Sequence, residues 1–180
     1  MDSFTNNILL SNLTRIRWLA IIGQFIAIIF VFYYLNIKIP ISPCLLVILI
    51  SVLINGYSYI SNKADKYLSD KQAFSFLIFD TIQLSILLFL TGGIYNPFSL
   101  LLIAPLIISA SYLPIFYSIC LLLLSLLNVI IISKFFIPIQ WNQLFEVPLY
   151  FAYCLTIALV ISLVFIFIYV YLFASSSRKL

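Results

Sequence analysis

Six long apolar runs divide this chain, at 16–35, 43–61, 73–91, 97–113, 115–133 and 148–173. Each approaches or exceeds the roughly 20 residues an α-helix needs to cross about 30 Å of hydrocarbon. The residues between them cannot offset this apolar surface: 65% of the 180 residues are hydrophobic and 8% are charged, against roughly 25% charged in a soluble domain. Such a chain cannot cover itself in water, which excludes a cytoplasmic enzyme, a secreted module and a disordered chain. With about 30 residues for each span and its loop, the length is filled by six spans and no second domain. The predicted fold is all-α: a polytopic membrane protein, a six-transmembrane-helix bundle forming a single membrane domain over 1–180.

The boundaries have independent support. Pro40, Pro43, Pro97, Pro114, Pro138 and Pro148 fall at the run boundaries, where a missing N–H costs least, and only Pro105 lies well inside a run. A signal peptide would have a shorter core and a small-residue cleavage site, whereas the first run ends in Phe32, Tyr33 and Tyr34. The charged segment from Asn62 to Gln72 reads as an aqueous loop. Arg15, Arg17, Lys63, Lys66, Lys71, Arg178 and Lys179 share one face of this arrangement and only Lys38 and Lys134 the other. That bias predicts both termini in the cytoplasm, with Trp18 and Trp141 at the two interfaces.

There is no His in the chain, which removes the usual haem ligand, zinc ligand and phosphoacceptor. Cys44, Cys120 and Cys154 are far apart, with no metal-ligand spacing, and read as packing residues. No metal site is expected. The basic residues form no stripe for nucleic acid.

Two features stand out from the apolar background. Gly92-Gly93-Ile94-Tyr95-Asn96-Pro97-Phe98 holds two of the four glycines. Either glycine suits the left-handed end of a helix, Asn96 can cap the next helix, and Pro97 fits its first turn. The segment reads as a tight outward hairpin between spans three and four. It is open whether it is only a turn, with Tyr95 and Phe98 as interfacial anchors, or a site where first-turn N–H groups and these rings receive a quinone entering from the bilayer. Asp80 is the second feature, as the only acid inside a span. An intramembrane carboxylate must be protonated, hydrated or paired. Gln83 follows on the same helical face, and Gln24, Asn55 and Asn128 are candidates to join this polar patch, with Arg17 a partner if it reaches inward. The patch serves either as helix-to-helix glue or in proton-linked signalling. Twelve residues, about 18 Å, separate Asp80 from Gly92, so it is a second site.

The heptapeptide resembles the G-G-x-x-N-P-F element of the RegB/PrrB-type redox-sensing histidine kinases. Arg17-Trp18-Leu19-Ala20, Gly23-Gln24, Gln72-Ala73-Phe74, Phe79-Asp80, Gln83-Leu84 and Leu90-Thr91 agree with it, so that the resemblance covers essentially the whole chain. It implies a membrane sensor of ubiquinone in the bacterial inner membrane, with Gly92, Gly93, Asn96, Pro97 and Phe98 at the ligand and Ile94 and Tyr95 at variable places. It also implies a homodimer, and a cognate response regulator and ATP as partners of a kinase part. That part, with its histidine box and regulatory cysteine, lies outside these 180 residues, so the chain is expected to be either the sensor portion of a longer phosphotransferase or a form that keeps only the membrane half. Span six would pass the signal onward. The rival readings are a small transporter or permease fragment, which calls for repeats or matching broken helices, and a quinone-binding anchor subunit of a respiratory enzyme.

Overall fold

The computed structural model describes residues 10–34, 37–61 and 68–138, together with eight positions between 153 and 167. Lys63, Asp65, Lys66, Trp141, Pro148, Cys154 and most of the sixth run lie outside the described residues. The regular elements are α1 (Leu10–Ile29), continued by a π-helical turn (Phe30–Tyr34), α2 (Ile41–Ser61), α3 (Asp70–Leu90), two 3-10 segments (Gly93–Tyr95 and Pro97–Leu102), α4 (Ile103–Tyr112) and α5 (Ile115–Lys134). No strand occurs among the described residues. Among the described residues, four stretches are long and apolar enough to cross a membrane: Leu13–Tyr34, Ile41–Ile60, Asp70–Leu90 and Ile115–Lys134. In the sixth run, the described positions are helical, and Leu159, Leu163 and Phe167, spaced four apart on one helical face, are buried in the core.

α2 begins at Ile41, two residues before the run read from Pro43, so Pro43 lies in its first turn, and three other differences from the sequence reading have a local reason. The first helix begins at Leu10 rather than residue 16, because Leu13, Thr14 and Arg17 are buried against neighbouring helices despite the polar residues around them. The third begins at Asp70, inside the segment read as loop. Ser69 accepts from the Gln72 N–H and the Gln72 side chain returns to the Ser69 N–H, a reciprocal cap that ties down the first turn. The fourth run is not one α-helix but a 3-10 segment passing into α4 at Ile103. The longer rise of the 3-10 part lets Pro97–Tyr112 extend about 27 Å, close to a hydrocarbon thickness. It also explains Pro105, which lies in the first turn of α4, where its missing N–H is least costly.

The helices alternate in direction. At one end Leu13, Leu68, Ala73, Leu77, Leu113 and Leu121 pack together; near the other Ile28, Ile37, Ile39, Cys44, Ile48 and Leu87 do so. The largest cluster joins Leu84, Leu88, Ile94, Leu102, Leu106, Val129 and Ile132 with the buried residues of the sixth run. Large apolar side chains such as Leu19, Leu53, Phe116 and Leu123 point outward, which a lipid solvent favours. Since lipid tails are as apolar as these cores, the helices associate through packing and interhelical hydrogen bonds. Between α4 and α5 the Ser118 hydroxyl donates to the Ser109 carbonyl at 2.9 Å.

α5 buries Ser118, Leu121, Ser125, Val129 and Ile132 along one seam. The Ser125 hydroxyl is buried without a hydrogen-bond partner among the described residues. Ser125→Ala is therefore expected to be neutral or to stabilise by about 1 kcal/mol, whereas Leu121→Ala should cost about 2–4 kcal/mol. Denaturant titration of the detergent-solubilised chain, followed by circular dichroism, measures both.

Candidate functional site

The hairpin is built from the end of α3 outward. The Thr91 N–H bonds the Leu88 carbonyl and its hydroxyl donates to the Leu87 carbonyl, closing the helix. Gly92 then turns the chain at φ 101° and Gly93 follows at φ 59°, a left-handed pair that side chains with a Cβ rarely adopt. Space also requires glycine at the second position. A Cβ on Gly93 would lie 2.5 Å from the Ile132 carbonyl oxygen and 2.6 Å from the Phe136 Cβ.

Asn96 holds the two sides of the turn together. Its Oδ1 accepts from the Phe98 N–H at 2.9 Å, while its Nδ2 donates to the Thr91 carbonyl at 3.0 Å and the Thr91 hydroxyl at 2.7 Å. One amide thus caps the helix that begins and fastens the helix that ends. Unpaired N–H groups were expected at this first turn, but Pro97 has none, Phe98 donates to Asn96 Oδ1, and Ser99 donates to the Asn96 carbonyl. The aromatic residues differ from each other. The Phe98 ring is 46% exposed, whereas the half-buried Tyr95 ring meets Phe136 edge-on at 5.7 Å. Ile94 is a core residue, 3% exposed, and Gly92 and Gly93 are buried.

The segment after α5 completes this end. Phe136 lies over Gly93 and beside Tyr95, and the Ile137 N–H donates to the Phe89 carbonyl at 2.8 Å. Thr91, Phe136 and Ile137 were missed in the sequence. No spacing rule connects Asn96 to a threonine five residues earlier, and the α5 contacts arise only from folding.

The second site lies between α1 and α3. Arg17 is 5% exposed; its Nε donates to Asp80 Oδ1 at 2.9 Å in an ion pair. Its guanidinium sits 4.9 Å from the centre of the Phe76 ring and 5.5 Å from that of Phe79, a cation–π arrangement worth most where water is excluded. Gln24 and Gln83 form a second link by exchanging amide hydrogen bonds at 3.3 and 2.9 Å. Asn55 and Asn128 do not join this patch. Asn55 donates to the Thr14 carbonyl, tying α2 to α1, and Asn128 donates to Leu124 within its own helix. A shallow groove on α2, lined by Ser42, Pro43, Leu46 and Leu49, is separate from both sites.

The chain is similar to two curated relatives. It is 41% identical over 100 residues to the sensor histidine kinase RegB of Cereibacter sphaeroides, a match covering 56% of this chain and 22% of that protein. A second sensor histidine kinase RegB of Cereibacter sphaeroides is 33% identical over 76 residues, 42% of this chain and 16% of that protein. These matches give the chain a RegB-type N-terminal region. It spans about a fifth of the length of the relatives it matches. No family model and no solved structure matches it.

The packing around the hairpin gives a direct expectation. Gly93→Ala combines a left-handed backbone with overlap on a main-chain oxygen and should lose about 2–4 kcal/mol. Asn96→Ala, which opens its bonds but creates no overlap, should lose about 1–2 kcal/mol. Unfolding of both variants in detergent, compared with the parent, measures the difference.

Proposed function

We propose that this chain is the membrane sensor module of a two-component histidine kinase and that it responds to ubiquinone at the Gly92–Phe98 hairpin. The observation that carries the reading is the similarity to RegB sensor histidine kinases, together with the built turn at the glycine pair. In this reading six helices span the bacterial inner membrane with both termini in the cytoplasm. The module works as a homodimer and passes its signal through the sixth span to a kinase part that binds ATP and phosphorylates a response regulator.

The hairpin supports such a role through competition. Its exposed Phe98 ring is a flat apolar surface at the start of the fourth span, suited to stacking against a ring that arrives from the bilayer. The Asn96 side-chain amide accepts from the Phe98 N–H, and its donors are engaged with Thr91. To hydrogen-bond a carbonyl oxygen, Asn96 has to release Thr91 and with it the end of α3. Binding is then coupled to structure, because a ligand favours the arrangement in which the two helix ends are unfastened. Gly93 and Phe136 carry that displacement to the exit of α5.

The test is quinone binding to the purified full chain, read by quenching of its intrinsic Trp and Tyr fluorescence. Wild type should bind ubiquinone saturably, and Asn96→Ala and Phe98→Ala should each weaken binding at least ten-fold while retaining helical content. Equal binding by all three, or binding by none, would show that the hairpin is only a turn.

A further inference from the structure

The polar groups between α1 and α3 are unequal in a way that simple glue does not require. The Gln24–Gln83 link is neutral and reciprocal, each amide giving one hydrogen bond and accepting one. The Arg17–Asp80 link is charged and incomplete. Only the Arg17 Nε–H reaches the carboxylate, and Arg17 Nη2 is enclosed without a hydrogen-bond partner among the described residues. A buried guanidinium with an unpaired donor is costly, most of all in hydrocarbon. Asp80, by contrast, keeps a quarter of its side chain exposed.

Arg17 has an alternative that Gln24 lacks. It lies seven residues, about 10 Å, from the first described turn of α1, and an arginine at that depth can turn its flexible stem back toward the headgroups. In the structure it instead crosses to α3, beneath the rings of Phe76 and Phe79. The amide link lies seven residues further along α1, about 10 Å deeper. On its other side the start of α1 is tied to α2 through the Asn55 bond to the Thr14 carbonyl.

We propose that Arg17–Asp80 is a releasable latch between α1 and α3, with Gln24–Gln83 as the pivot that stays closed. Release lets the first turns of α1, carrying α2 through Asn55, move away from α3 while Arg17 turns to the membrane surface. The unpaired Nη2 raises the energy of the latched state and so brings the two states closer together. A small bias can then move the population from one to the other. The latch requires no quinone and stands independently of the function proposed for the hairpin.

Trp18 follows Arg17 directly on α1 and is half-buried, packed against the cluster that contains Ile21, so movement of this part of α1 changes its exposure. Trp141→Phe leaves it as the only indole, because the chain has two tryptophans. Acrylamide quenching of this parent in nanodiscs is compared with Asp80→Asn, Asp80→Glu, Gln83→Leu and the exchanged pair Arg17→Asp with Asp80→Arg. Asp80→Asn should raise the quenching constant at least two-fold, and Asp80→Glu, which keeps the charge, should match the parent. The exchanged pair should restore protection, and Gln83→Leu should leave the closed latch protected. Packing without a latch would make Asp80→Asn and Gln83→Leu act alike, which overturns the proposal. Unchanged quenching in Asp80→Asn with helical content retained also overturns it. If Asp80→Asn does not fold, Arg17→Gln supplies the same release and is read against the same two outcomes.

Discussion

Hydrocarbon offers no hydrogen bonds, so a polar group that this chain carries into it is costly unless it finds a partner within the protein. The helices meet that demand for the backbone. Most of the side chains meet it in one of two ways: Ser58, Thr81, Ser85 and Thr91 return their hydroxyls to carbonyls four residues earlier on the same helix, while Arg17, Gln24, Asn55 and Ser118 reach across to another. Only the second group determines which helices lie together. In a core whose Leu and Ile side chains pack about as well on lipid as on each other, these few bonds supply much of the specificity of the bundle.

α3 unites the two sites. Midway along it Asp80 and Gln83 receive α1, and at its end Thr91 is fastened by Asn96 while Phe89 accepts from Ile137. It also holds buried residues from Ala73 to Leu88 along its length. A displacement at either end is transmitted along a continuous helix, which is stiff, rather than through a loop. Gly93 protects this arrangement at the hairpin end, since it allows Ile132 and Phe136 to approach the backbone more closely than any side chain would permit.

The local features of the hairpin were legible because they depend on residues close in sequence. Positive φ at Gly92 and Gly93, the Asn96 cap and the placement of Pro97 follow from what each residue does to its own backbone. The capping box at Ser69 and Gln72 was equally local but was hidden by the charges around it, which read as an aqueous loop. Arg17 could be named as a partner for Asp80 because few charges lie inside the runs and a carboxylate there demands one. The 3-10 character of Pro97–Leu102 was not legible, since its apolar residues suit either helix. Nor was the separation of Asn55 and Asn128 from the polar patch, because a helix position does not say which neighbour it faces.

The sequence by itself determined that the chain is helical and lies in a membrane, and that a glycine-rich turn and one intramembrane acid interrupt an otherwise apolar pattern. These follow from solvent and local backbone, and both act on short stretches of chain. Only the tertiary structure decided that Asn96 spends its donors on Thr91, that Tyr95 rests on Phe136 while Phe98 stays exposed, and that Arg17 is enclosed with one donor unpaired. Those outcomes depend on which side chains meet from distant parts of the chain, and directional bonds in a non-polar solvent settle that only once the helices have packed.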